Sequence, residues 1–267
     1  MNTKKTQNCK VYCLAIQKGG VAKTTSSVAM SAALAELGYK VLLIDNDPQA
    51  NSTRAVGKYG RNGTEISITN IMDDLLNYRM FNKDKGIQNT DENFDILPSN
   101  DSYAGIELQM ISIMNREYFL KRYVEMQRED YDYIIIDCPP NLGMLTINAL
   151  VASDEVLIPA QAQDYSATSI HQVLNTIKMI WQYPNPNLKI GGIFLTMFND
   201  RRNEDKYMLE SIKLAFSSLR LFDTTIPYSV RVSEAARKRK SIIAYETNGK
   251  VANAYRGLVQ EVLTSVE

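Results

Sequence analysis

A lysine-flanked pair of glycines set between a strand and a helix constrains this chain more than any other feature. The apolar run Val11–Ile16 leads into Gln17-Lys18-Gly19-Gly20-Val21-Ala22-Lys23-Thr24-Thr25. A segment of helical period, Lys23–Leu37, follows at once and stops at Gly38, a residue suited to the left-handed position that ends helices. Unpaired backbone N–H groups at a helix N-terminus, aided by the helix dipole, attract anions. Gly19 and Gly20 let the backbone close tightly around one, with Val21, Ala22 and Thr25 completing the cradle. In such a loop the Lys23 ammonium reaches the β- and γ-phosphates of a nucleotide and the Thr24 hydroxyl ligates Mg²⁺. The usual pattern G-x-x-x-x-G-K-[ST] fails at both glycines, because Gln17 stands at the first and Ala22 at the second. A methyl group at Ala22 is expected to be compatible with helical φ and ψ.

Two further segments restore the phosphate reading. Val41-Leu-Leu-Ile is an apolar strand that ends in Asp45-Asn46-Asp47-Pro48-Gln49, and Tyr131–Ile136 ends in Asp137-Cys138-Pro139-Pro140. Ligands of open α/β sheets sit at the carboxyl ends of the strands. An acid there can hold Mg²⁺, directly or through water, beside the loop hydroxyl. Single Asp residues before proline also cap turns, but three at strand ends beside one such loop point to a common site.

The remaining apolar runs, Phe94–Leu97, Glu155–Pro159 and Ile190–Phe198, alternate with helical segments at Gly105–Gln127, Ser166–Gln182, Glu204–Leu219 and Lys250–Val266. In the last of these, Val251, Tyr255, Leu258, Val262 and Val266 share a face. Several strands are continuously apolar, as when helices cover both sheet faces. The pattern predicts an α/β fold with a doubly wound, mostly parallel sheet, built as one domain over residues 1–267. The polar interval Gly57–Asn93 is expected to be loop-rich with one short helix, Ile68–Leu76.

Lys plus Arg (30) balance Asp plus Glu (30), so net charge implies no acidic partner, although a local basic patch is still allowed. Three cysteines, Cys9, Cys13 and Cys138, are poor material for a disulfide framework and lack a second ligand pair for zinc. The polar N-terminus and short first apolar run predict neither a signal segment nor a membrane anchor, hence a cytoplasmic protein.

Together, K-G-G-x-x-K-[ST] at Lys18–Thr24, D-x-D-P-Q at Asp45–Gln49 and D-C-P-P at Asp137–Pro140 resemble the ParA/MinD family of deviant Walker A P-loop NTPases. Leu97–Asn100, Asn141–Leu150, Leu195–Phe198 and Ile226–Ala235 are similar to the partition (ParA) branch, so that the likeness runs from about residue 10 to 265. The resemblance implies an ATPase with ATP and Mg²⁺ as cofactors, active as a homodimer that sandwiches two nucleotides. Lys18 would reach the partner subunit's ATP, Lys23 its own; Asp47 would position the attacking water. Thr24, Asp45 and Asp137 would serve the metal, and Asn199 and Pro227 the nucleotide. The resemblance further implies slow hydrolysis stimulated by a centromere-binding, ParB-like protein, and sequence-independent DNA binding by the ATP dimer on the nucleoid. Arg201, Arg202, Lys206, Arg231, Arg237, Lys238, Arg239 and Lys240 are the candidate DNA contacts, the last four and Arg231 being the stronger ones. Tyr228 departs from the arginine frequent in the family. About ten residues precede the first strand, too few for a helix-turn-helix domain, so the short form is expected.

Membrane-cycling relatives of the MinD type need a basic amphipathic C-terminal helix, whereas Gln260–Glu267 is acidic. Iron–sulfur relatives need cluster-ligating cysteines, and neither Cys13 nor Cys138 suits that role. A cargo-positioning ATPase shares the pattern and stands as the alternative. His171 and Trp181 are expected to pack rather than react, and Met144 and Leu145 to pack a helix. Asp164 opens a segment that matches the family's dimer-facing region.

Overall fold

A computed structural model describes residues 9–60, 63–163 and 166–264. Its strands are β1 (Lys10–Leu14), β2 (Val41–Asp45), β3 (Gln88–Asn89), β4 (Asp95–Leu97), β5 (Tyr133–Asp137), β6 (Glu155–Gln161) and β7 (Lys189–Thr196). They form one sheet in the order β3-β4-β2-β5-β1-β6-β7, parallel throughout except for β3. Every residue of β2, β5 and β6 is buried. That burial on both faces is why their sequences run apolar without alternation. The register sets Leu14 beside Asp137 and Asp137 beside Asp45, so two of the acids stand side by side at one end of the sheet.

The helices are α1 (Lys23–Glu36), α2 (Asn51–Ala55), α3 (Ile68–Leu76), α4 (Tyr103–Met110), α5 (Phe119–Gln127), α6 (Met144–Ala152), α7 (Ser166–Gln182), α8 (Asn203–Ala215), α9 (Arg231–Arg237), α10 (Ile242–Tyr245) and α11 (Lys250–Thr264). One apolar cluster packs α3 to α7 against a face of the sheet, and a second packs α1, α10 and α11 against the other. Val251, Tyr255, Leu258 and Val262 are all buried in the second cluster, as the helical spacing predicts; Val266 lies outside the described residues. Gly38 adopts φ +89 at the end of α1. Among the described residues no helix is long and apolar enough to cross a membrane.

Three expectations change. The predicted helix Gly105–Gln127 is two helices, α4 and α5. Asn115 between them adopts left-handed φ 56, and the buried Asn148 holds the break open by accepting from Leu120 N (3.1 Å) and donating to Arg116 O (2.9 Å). The predicted helix Glu204–Leu219 ends at Ala215, where Phe216 leaves helical geometry (φ −121, ψ 36) and turns its ring into the core. The helices α2, α6, α9 and α10 are additions to the sequence reading. Beyond β7, residues 220–227 run alongside it, with Ile193 opposite Leu221 and Phe198 opposite Pro227, before the chain enters α9.

Candidate active site

The loop between β1 and α1 alternates backbone handedness. Gly20 has φ 75 and Ala22 has φ 61, ψ 27. Such alternation turns successive N–H groups inward and makes an anion-binding concavity. Ala22 is thus in the left-handed region, and not helical as its methyl group suggested; a Cβ there meets the following carbonyl and is strained. The Lys23 ammonium donates to the carbonyls of Lys18 (2.8 Å) and Ile16 (3.4 Å), which holds its charge within the loop. Burial lowers its pKa, against the opposing pull of Asp137, Cys138 and Asp47. Lys18 behaves differently: its side chain is half-buried and its ammonium donates to Gln163 Oε1, 3.5 Å distant, and not to a carbonyl of its own loop.

The three acids share this end of the sheet. Asp45 is fully buried, and its Oδ2 accepts from Thr53 N (2.8 Å) and Thr53 Oγ1 (2.6 Å). Asp137 accepts from Ser27 Oγ (3.1 Å) and Ser52 Oγ (2.7 Å), and the Thr24 hydroxyl bonds to it as well. Burial pushes Asp45 up to about 8, with the Asp137 charge adding to it, and pushes Asp137 up to about 6. Asp47 is raised by burial and lowered by its bond from Gln49 N (2.9 Å) and by Lys23.

The oxygen donors fit a hard cation such as Mg²⁺. Among the described residues no three His, Cys, Asp or Glu side chains could hold a metal by themselves. Both Asp45 oxygens are engaged, Oδ2 by Thr53 and Oδ1 by Asp47 N (3.4 Å).

A cavity of about 490 Å³ opens beside the loop and is lined by Gly19, Gly20, Ala22, Lys23, Thr24, Thr25 and Asp47. It continues along α1 to Val28, and its far walls come from Asn51, Arg54 and Ala55 of α2, and from Val232, Ala235, Ala236 and Lys240. Val21 is buried beneath the loop. Met197 lines the cavity, whereas Asn199 and Pro227 are not among its lining residues; the Asn199 side chain closes a turn by accepting from Arg201 N (3.1 Å). Sequence reasoning missed Ser27, Ser52 and Thr53 as partners of the acids, and Asn51 and Arg54 as walls. The only signal was Asn51-Ser52-Thr53-Arg54 directly after the acidic strand end. Arg54 is held over the Tyr59 ring at 3.6 Å and pairs with Asp101 at 3.5 Å.

The basic candidates are exposed. Arg201, Arg202 and Lys206 lie at the start of α8; Arg231 opens α9, and Arg237 to Lys240 close it. Arg231 is ion-paired with Glu234 at 2.7 Å and lies 3.9 Å from Glu246, so part of its charge is answered within the chain. The His171 ring packs on Phe216 at 4.8 Å and Trp181 donates to Leu188 O (2.6 Å). Met144 and Leu145 open α6, Leu145 fully in the core. Cys9, Cys13 and Cys138 are buried, and burial with a neighbouring Cys13 raises the Cys138 thiol. Asp164 lies outside the described residues.

A phosphate cradle after β1, a helix entering from it, and acids on the two strands beyond define a P-loop NTPase of the deviant, two-lysine kind. The AAA domain family matches residues 9–190. The chain is 40% identical to the sporulation initiation inhibitor protein Soj of Bacillus subtilis over 95% of its own length and 98% of Soj. It is 36% identical to the chromosome partitioning protein ParA of Myxococcus xanthus, over 95% of this chain and 88% of that one. Among solved structures it superposes on a cobyrinic acid a,c-diamide synthase of Mycobacterium smegmatis, with bound ADP and magnesium, at a TM-score of 0.83; the two are 32% identical over 97% of this chain and 95% of that one. The chain belongs to the Soj/ParA family of partition ATPases.

Proposed function

We propose that this chain partitions DNA as a slow, Mg²⁺-dependent ATPase that dimerises around two ATP molecules and binds DNA non-specifically as that dimer. A centromere-binding, ParB-like protein would stimulate hydrolysis and reset it, in the cytoplasm and on the nucleoid. The observation that carries this reading is the division of labour between the two lysines: Lys23 lies folded into its own loop, while Lys18 makes no such bond and reaches Gln163. A cation beside a phosphate site that is not folded into its own loop is suited to stabilising charge on a neighbouring subunit's nucleotide, as an arginine finger does.

Each residue then has a task. The N–H groups of residues 19–25 and the Lys23 ammonium bind the triphosphate. Thr24 would hold Mg²⁺, with Asp45 and Asp137 behind it; bound there, the ion neutralises charge on the β- and γ-phosphates. Asp47, only 6% exposed, keeps one oxygen on Gln49 N; the other has no hydrogen bond among the described residues and would orient an attacking water. The names of the relatives, with 40% and 36% identity over nearly full lengths, support partitioning as the task. A membrane-cycling role is less well supported, because the apolar face of α11 is committed to the core.

The test is binding to random-sequence duplex DNA and to anionic vesicles, each with ATP, ADP or no nucleotide. ATP-dependent binding to DNA that weakens steeply with salt is expected. Vesicle binding without DNA binding would replace partitioning with the membrane reading.

A further inference from the structure

The run Arg237-Lys238-Arg239-Lys240 is not one basic surface. Helix α9 ends in a double reversal: Arg239 N donates to Ala236 O (3.0 Å) and Lys240 N to Ala235 O (3.1 Å), with Arg239 at φ +57. This is the Schellman arrangement, which folds the second residue past the helix back against its last turn. Here that residue is Lys240, and the residue it folds onto, Ala235, is buried and faces the cavity. The next residue fixes the turn from the other side, since Ser241 donates from its N–H (2.7 Å) and its hydroxyl to the Glu92 carboxylate. Lys240 consequently lines the same cavity as Lys23, Thr24 and Asp47, while Arg239 is not in its lining and lies against Gly57. Among the described residues Lys240 has no ion pair.

We propose that Lys240 contacts the nucleotide and not DNA, on the nucleoside side of the phosphates. The wall around it is apolar: Val28, one helical turn along α1 from Thr24, packs with Ala235 and Ile242 in one cluster. That surface suits the face of a base, and the ammonium at its rim suits the acceptor atoms of the base or ribose. This inference rests on the ATP-site reading above, but not on DNA being the cargo.

The test measures two quantities on Lys240→Ala and Lys240→Arg: affinity for Mg²⁺ with a non-hydrolysable ATP analogue, and the salt dependence of duplex binding at saturating analogue. Lys240→Ala is expected to lose about tenfold in analogue affinity, the scale of one partly exposed charged hydrogen bond. Its logarithmic salt slope for DNA should match that of the unaltered chain, and Lys240→Arg should recover most of the affinity. A thermal midpoint without nucleotide reports whether each variant folds. If Lys240→Ala fails to fold, Lys240→Gln takes its place: a loss of about tenfold in analogue affinity supports the contact, and unchanged affinity overturns it. Unchanged affinity in Lys240→Ala overturns the proposal, and so does a shallower salt slope in that variant. If the unaltered chain binds no DNA, the partition reading falls, and the affinity measurement still decides the role of Lys240.

Discussion

Ala22 shows what a single methyl group costs. It occupies φ 61, where glycine is strain-free and an L-residue is not. Ala22→Gly should stabilise the chain by about 1 kcal/mol, the lower end of the left-handed penalty. For a chain of this size that raises the thermal midpoint by roughly 2–4 °C, readable by calorimetry. Asp47→Asn tests the catalytic assignment. The loss of a positioned proton acceptor should slow single-turnover ATP hydrolysis by roughly 10²-fold or more, with ATP binding retained. Equal hydrolysis would remove Asp47 from the mechanism. The acids themselves were legible because each ends an apolar strand, and a charge in that place calls for a reason. Their hydroxyl partners were not: Ser27, Ser52 and Thr53 look like ordinary helix residues, and only tertiary packing brings them onto Asp45 and Asp137. The left-handed turn at Ala22 was equally invisible, since without glycine the local sequence carries no sign of it.

At the scale of elements, long periodic segments were read well and their breaks were not. Ile68–Leu76 and Ser166–Gln182 agree with the helices found, because one apolar face runs their whole length. The split between α4 and α5 depends on Asn148, which comes from a different part of the chain. The short helices α2, α9 and α10 have too few residues to show a period. The last helix offers a test by pH. Glu261 on α11 accepts from Asp223 N (2.9 Å) and Thr224 N (2.7 Å), tying the segment beside β7 to the core. Partial burial raises its pKa, but the Thr224 and Asp223 bonds and Arg220 outweigh it, and the net shift is below the ordinary 4.5. A carboxyl lowered on folding contributes stability above its unfolded pKa and loses it as pH falls through the folded one. Glu261→Gln should therefore cost about 1 kcal/mol at pH 7 in urea unfolding, and progressively less below about pH 4. A difference that grows as the pH falls would contradict this account.

At the scale of the molecule, the sheet, its direction and the end that carries the site were all legible from the alternation of strands and helices. The walls of the cavity were not, because α2 and α9 meet there from positions far apart in the chain. Assembly is the natural test at this scale. If Lys18 acts across a dimer, Lys18→Gln should bind ATP with affinity close to that of the unaltered chain and yet remain monomeric by light scattering. A normal ATP-dependent dimer would refute the trans role.

The segment 220–227 has a consequence for how copies of this chain can meet. By lying along β7 it occupies the N–H and C=O groups that a foreign strand would need, through Phe222 N to Ile193 O and Ile226 N to Leu195 O (both 2.8 Å). On the opposite margin, β3 offers only two residues, in antiparallel orientation. Among the described residues neither margin offers a long run of unpaired backbone groups, which disfavours growth by strand addition. If copies of the chain dimerise as proposed, side chains and ligand at the loop end are what remains for the contact, and such a contact can form and dissolve with each turnover while the folded chain stays as it is.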